Sequence, residues 1–363
     1  MSKRLVAHVG FHKTGTTALQ ESFSENREIL KELGIQYPDF GLKAHHRAAW
    51  ALTGRTWGWK NKGGITFPIA EWKKAVKAVK KYKHTTLISS EFFCELSEAQ
   101  IQKFKDDNKG VDFTIVFTIR PLVKLLASSY QQYLKYGLKP TYEEWLHSVL
   151  DQPGVSKTTP TFWKRHEHGR VITEWAKVLG PENIVVVVAD EKEPTAIFEA
   201  FNSILGIPAG TLTQIEDVAS NRSLTLEEVT LLLHVNKIFP KNREWSEYEI
   251  YIREGAIKHL TDKVKAPKDA EKLLTPEWAF EKAREIGVES VRQIQSSGVE
   301  VIGNLDSFAA AQIPTGNNSE ITHVSLDTAA QALIGLDNRT LRRQSARVLV
   351  IELRRRVKKL LIK

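Results

Sequence analysis

The residues with the clearest chemical potential stand near the start of the chain, in Val9 to Thr17, VGFHKTGTT. A Gly- and Thr-containing turn that feeds a helix presents backbone N–H groups and the positive end of the helix dipole to an anion. Lys13 adds a full charge, and the hydroxyls of Thr14, Thr16 and Thr17 add donors. Phosphate is the ligand such a turn suits. The Walker A order places the lysine directly after the second glycine, whereas Lys13 here precedes Gly15. An ordinary ATPase or kinase is disfavoured on that ground.

A second constellation follows the apolar run Asp112 to Ile119. Arg120 comes directly after it, then Pro121, and Ser128 lies eight residues beyond Arg120. With a helix beginning near Pro121, that spacing is about two turns, so one ligand group can touch both side chains. Arginine offers a planar fork matched to phosphate. Taken singly, Arg120 reads as a surface ion-pair residue and Ser128 as an ordinary helix serine. Their meaning comes from standing beside Val9 to Thr17.

These residues need a framework that brings two loops to one edge. Leu5 to Phe11, Thr85 to Ser89, Asp112 to Ile119 and Asn183 to Ala189 are short apolar runs rich in branched residues. Helical patterns separate them, over 16–33, 71–83, 97–106, 121–136, 142–150, 168–179 and 194–205. Near-continuous Val/Ile strands alternating with helices predict an α/β fold, a parallel β-sheet flanked by helices on both faces. Ligands of such sheets bind at the carboxyl ends of the strands. Beyond about Ser220 the pattern turns helical and less regular. The expected organisation is therefore an α/β core over 1–220, a mainly helical C-terminal extension of the same catalytic unit over 221–340, and a basic amphipathic tail over 341–363.

Composition narrows the class. The 363 residues are 42% hydrophobic and 26% charged, which is globular usage. No run approaches the roughly 18 to 20 apolar residues of a membrane span, and the N-terminus reads as a strand instead of a signal peptide. Cys94 is the single cysteine, so neither a disulfide framework nor a multi-cysteine zinc site is expected, and a reducing, cytoplasmic setting is the simplest fit. The net charge is +9, but residues 341–363 hold nine basic residues against one acid, leaving about +1 for the rest. A nearly neutral body argues against nucleic acid as the main partner. No metal-ligand cluster stands out.

With both motifs in view, the sequence resembles the sulfotransferases that use 3′-phosphoadenylyl sulfate (PAPS). HKTGTT after the first strand is similar to that family's 5′-phosphosulfate loop, and Arg120 with Ser128 matches its 3′-phosphate motif. Arg170 to Pro208 looks like bacterial members with carbohydrate acceptors. The resemblance covers about 220 residues. The acidic residue that usually follows the arginine is replaced by Pro121.

The resemblance implies a P-loop-like sheet and a sulfuryl transfer from PAPS, with adenosine 3′,5′-bisphosphate as product and no metal. His12, Lys13, Thr14, Gly15, Thr16 and Thr17 would line the donor loop, Lys13 neutralising charge on the bridging oxygen. Arg120 and Ser128 would hold the 3′-phosphate. Arg222, in Asn221-Arg222-Ser223, would close over the donor, although Ser223 before LTLEE is equally well explained as a helix cap. His8 and His12 also read as residues that shape strand and loop.

The acceptor hydroxyl needs a general base within hydrogen-bond reach. Several carbohydrate sulfotransferases place one where His45 and His46 occur. Neighbouring helical residues do not share a face, so at most one of the two would serve. Glu91 ends the second strand beside Phe92 and Phe93, where burial would raise its pKa. All three candidates stay open from the sequence.

Two further segments bear on partners. Thr53 to Phe67 is Gly-rich and carries Trp57 and Trp59 among Arg55, Lys60 and Lys62, which suits either a glycan or glycoconjugate acceptor or plain loop packing. In the tail, Leu349, Leu353, Val357, Leu360 and Leu361 recur at helical spacing among basic residues. That pattern fits a helix lying peripherally on an anionic membrane, a helix packed on the body, or a homodimer helix. Two other functional classes compete with the sulfotransferase: an ATP-dependent kinase-like phosphotransferase on the same fold, and a non-catalytic nucleotide-binding scaffold.

Overall fold

The computed structural model describes residues 3–41, 44–55, 66–190, 192–215 and 222–337, with isolated positions between 346 and 357. Trp57, Trp59, Lys60 and Lys62 lie outside the described residues, as does most of the tail. Among the described residues no helix is long and apolar enough to cross a membrane.

The chain runs β1 (Arg4–Gly10), α1 (Thr16–Glu25), α2 (Arg27–Glu32), β2 (Ile35–Gln36), α3 (Ala44–Thr53), α4 (Ala70–Lys81) and β3 (Thr85–Ser89). A short 3-10 helix, Glu91–Glu95, follows, then α5 (Glu98–Asp107), β4 (Asp112–Ile119), α6 (Leu122–Leu134), α7 (Tyr142–Leu150) and α8 (Phe162–His166). Next come α9 (His168–Leu179), β5 (Ile184–Val188), α10 (Ala196–Leu205), α11 (Leu226–Ile238) and α12 (Trp245–Glu247). A π-helix over Tyr248–Ile257 leads to α13 (Lys258–Lys263), α14 (Glu277–Ser296), β6 (Glu300–Ile302), α15 (Leu305–Ala309) and α16 (Leu326–Asp337).

The six strands form one sheet in the order β2-β3-β1-β4-β5-β6, with every pair parallel. This is the α/β sheet flanked by helices that the Val/Ile runs predict. Alternation of the pleat assigns the two faces. Leu5, Ala7 and Val9 of β1 pack with Trp72 of α4, Phe104 of α5, Trp175 of α9 and Ile294 of α14. Val6 faces the other way, into a core with Leu19 and Phe23 of α1 and Phe198 and Phe201 of α10. Trp72, Phe104 and Trp175 are fully buried, and each such side chain contributes roughly 1.5–3 kcal/mol or more of hydrophobic burial.

The expected helix 16–33 is broken in two. The amide of Asn26 donates to Ser22 O, and so does its side-chain Nδ2 at 2.9 Å. The backbone bond is the last rung of α1; the side-chain bond shares its acceptor, and Asn26 leaves the helical conformation at φ −90° and ψ 16°, where α1 ends. The chain from β1 turns toward β2 and β3, while the chain leaving β4 runs on toward β5. The connections thus diverge at the carboxyl ends of β1 and β4, which is where open parallel sheets leave a crevice.

The chain divides into two compact units, the first of 1–129, 142–218 and 275–317, the second of 130–141, 219–274 and 318–363. The whole sheet belongs to the first. Residues 275–317, which fall within the expected 221–340 extension, lie in this first unit and give the sheet its edge strand β6. The second unit is helical. Its buried polar knot is Asn236, whose Nδ2 donates to Leu134 O and Leu138 O while its Oδ1 accepts from Tyr248 Oη.

Candidate active site

The loop after β1 is shaped by three positive φ angles: Gly10 at 78°, Lys13 at 65° and Gly15 at 87°. A non-glycine residue in the left-handed region carries steric strain, and such strain is concentrated at functional positions. Lys13 is therefore held in this conformation by its surroundings, not by its own preference. Gly15 caps α1 in the left-handed conformation, and no side chain caps the helix start.

The threonines are arranged differently from expectation. Thr14 and Thr16 are buried, and both hydroxyls donate to Phe11 O, at 2.7 and 3.1 Å. Their protons hold the loop closed on itself. Thr17 sits exposed on the first turn of α1.

Lys13 shares its surroundings with the other motif. Its pKa lies below the ordinary lysine value because surrounding protein displaces water; the Glu91 carboxylate opposes that shift and the Arg120 guanidinium adds to it. Arg120 is half-buried directly after β4, and Phe11 N donates to Thr118 O, so the two loops leave adjacent strands at the crevice. Ser128 lies on α6, where its Oγ donates to Leu125 O at 3.0 Å.

Glu91 starts the 3-10 helix after β3. Its Oε2 accepts from Gln20 Nε2 at 3.4 Å and stands 3.8 Å from His46 Nδ1. The sequence expectation of a raised pKa is not what the structure gives. Burial does push it upward, but His46, His12, its own backbone amide and Gln20 together outweigh burial and lower it. Glu91 is accordingly a carboxylate at neutral pH.

The two histidines separate cleanly. His45 Nδ1 accepts from Ser89 N at 3.1 Å, so its proton is on Nε2, which donates to Pro38 O at 2.8 Å. The ring lies between Tyr37 and Phe40, and burial lowers its pKa to about 4. Both nitrogens serve the backbone, which takes His45 out of the set of candidate bases. His46 instead bonds Ser90 Oγ through Nδ1 at 2.8 Å and approaches Glu91. A cleft of about 220 Å³ beside them is lined by Gln20, Arg27, Tyr37, Asp39, Phe40 and His46, among others.

One cluster escaped the sequence reading. Glu95 is buried and accepts from Arg165 Nε at 2.7 Å and Arg55 Nη2 at 2.5 Å, with His12 Nε2 at 3.4 Å. Burial would raise the Glu95 pKa, but Arg165, His12 and Arg55 hold it far below the carboxylate range. His12, expected at the donor, thus turns toward Glu95, and its own pKa is lowered first by burial and then by Arg165. Phe92 packs against His12, His46, Trp50 and Arg165, joining this cluster to the His46 side. Partners 40 and 70 residues apart leave no local pattern, so only the fold reveals them.

Arg222 belongs to the second unit. It forms a two-pronged pair with Glu228, at 2.6 and 2.8 Å, and also donates to Val264 O and Leu260 O. Glu228 completes the capping box of Thr225 at the start of α11. The expected donor contact is therefore replaced by a structural ion pair in this structure. Cys94 is buried, with its thiol pKa pushed well up chiefly by that burial.

No family model matches the chain, and no curated protein matches it. Among solved structures it is similar to a sulfotransferase from Alicyclobacillus acidocaldarius, at 16% identity and a TM-score of 0.42, over 69% of this chain and 100% of that one.

Proposed function

We propose that the protein transfers a sulfuryl group from 3′-phosphoadenylyl sulfate to an acceptor hydroxyl on a carbohydrate or glycoconjugate. One observation carries the reading: Lys13, on a strained loop after β1, feels both the Arg120 guanidinium from the neighbouring strand end and the Glu91 carboxylate from the end of β3. Two cations suit the two phosphate positions of the donor, and the carboxylate suits proton removal.

In this account the 5′-phosphosulfate lies on the first-turn amides of α1, with the 3′-phosphate on Arg120. Ser128 joins that contact by turning its hydroxyl from Leu125 O. The acceptor oxygen forms the new bond to sulfur as the bond from sulfur to the bridging phosphate oxygen breaks. The acceptor proton passes to the His46–Glu91 pair, and Lys13 meets the charge gathering on the bridging oxygen. Such a displacement depends on positioning and charge stabilisation more than on covalent participation by the protein. The cleft beside His46, with the rings of Tyr37 and Phe40 and the charges of Arg27 and Asp39, suits a polyhydroxylated acceptor.

The test is label transfer from 35S-labelled donor to a panel of glycans. Wild type should transfer label, and Lys13→Ala should lower kcat about 100-fold or more while donor affinity changes little. Phosphoryl transfer from ATP in place of sulfuryl transfer would overturn the proposal.

A further inference from the structure

His8 lies in the middle of β1, buried, on the face that packs against Phe201. The mechanism above does not use it. Its Nδ1 is 2.8 Å from Ser89 Oγ and its Nε2 is 3.1 Å from Thr118 Oγ1. Thr118 Oγ1 is in turn 2.7 Å from Thr14 Oγ1, and Gln20 Nε2 donates to Ser89 Oγ at 3.2 Å. These contacts have one consistent set of proton positions.

Phe11 O can only accept, so the Thr14 proton is committed to it. Thr118 must then donate to Thr14, which leaves only its lone pairs for His8. The His8 proton is thereby placed on Nε2, and Nδ1 must accept from Ser89, whose own lone pairs receive Gln20. The buried side chains of this chain are all satisfied, and the ring is held neutral, its pKa lowered to about 4 chiefly by burial. Unsatisfied buried polar groups are costly, so reversing any one link disturbs its neighbours.

The chain has functional ends. Thr14 belongs to the loop that carries Lys13, and Gln20 touches Glu91. We infer that His8 is a positioning residue, a neutral Nε2–H imidazole that sets the register between the donor loop and the Glu91 edge. Its structural part stands on the hydrogen bonds alone; its consequence for transfer rests on the sulfotransferase reading.

Thr118→Val removes one hydroxyl while preserving shape, and Thr118→Ser restores the hydroxyl. Two amides close the loop, Phe11 N on Thr118 O and Leu19 N on Gly15 O. Their hydrogen exchange should quicken about tenfold in Thr118→Val, return toward wild type in Thr118→Ser, and leave the β5 amides unchanged in both. Nitrogen NMR of wild type should show the His8 Nε2–H tautomer at pH 7. In Ser89→Ala, which cuts the chain on the far side of the ring, the His8 pKa should rise, because a donor to the neutral form is lost.

Unchanged loop exchange in Thr118→Val, or a His8 Nδ1–H tautomer, would overturn the inference. Should Thr118→Val not fold, the tautomer and the Ser89→Ala titration still decide it. Adenosine 3′,5′-bisphosphate titrated into the same proteins separates the two claims. Altered exchange with no bisphosphate binding by wild type sinks the donor assignment and keeps the tie. Binding by wild type with unaltered exchange does the reverse.

Discussion

A Cβ at Gly10 would stand 2.6 Å from both the Cα and the Cβ of Glu91. The end of β1 and the start of the 3-10 helix therefore approach too closely to leave room for a side chain at position 10. Gly10 also has a φ of 78°, which side-chain-bearing residues rarely adopt. Both restrictions put Glu91 beside the root of the loop that carries Lys13.

Gly10→Ala should accordingly destabilise the fold by about 1–3 kcal/mol and displace Glu91. Urea unfolding followed by circular dichroism gives the first quantity. Stability within about 0.5 kcal/mol of wild type would show that the approach is looser than the structure has it.

His45→Gln and His46→Gln should fail in different ways. His45 holds Pro38 O and Ser89 N, so its loss should lower stability by about 1–3 kcal/mol. His46, paired with Glu91, should chiefly lower kcat, by roughly 100-fold for lost proton transfer, with donor affinity retained. Parallel melting curves and steady-state kinetics read the two effects, and a selective kcat loss in His45→Gln would reverse the assignment.

These two histidines also show how far sequence reaches. Thr85 to Ser89 and Asp112 to Ile119 coincide with β3 and β4, because strands buried on both faces of a parallel sheet are built from short runs rich in apolar and β-branched residues. β2 and β6 have two and three residues at the sheet edges, with polar Gln36 and Glu300, and carry no such signal. The positions of Lys13 and Arg120 near neighbouring strand ends were legible, since Lys13 comes three residues after β1 and Arg120 directly after β4. His45 and His46 were indistinguishable, because the discriminating partners, Ser89 N and Ser90 Oγ, arrive on a strand end about 44 residues away. Glu95 was invisible for the same reason.

Acid should weaken the fold in two stages. Burial lowers His8 and His45 to about 4 and His168 to about 3. Above about pH 6.5 both folded and unfolded chains keep these rings neutral, and no stability depends on them. As pH falls from 6.5 toward 4, the unfolded chain binds protons that the folded one refuses, so stability declines. The loss is on the order of a few kcal/mol per ring once both values are passed. Glu95, depressed in the folded state, contributes stability above about 4.5 that is lost as pH falls further. Urea midpoints measured from pH 8 to 3.5 should stay level, then drop below about 6.5; a midpoint that rises on acidification would contradict these protonation states.

The central claim is that Lys13 and Arg120 together receive a nucleotide with phosphates at both the 3′ and 5′ positions. Isothermal titration of wild type and Arg120→Ala with adenosine 3′,5′-bisphosphate, ADP and ATP tests it most directly. The account predicts that wild type prefers the bisphosphate, and that Arg120→Ala weakens it by about 1.5–3 kcal/mol, roughly 10- to 150-fold, without a matching loss for ADP. Equal or tighter binding of ATP by wild type, or bisphosphate affinity untouched in Arg120→Ala, would contradict it.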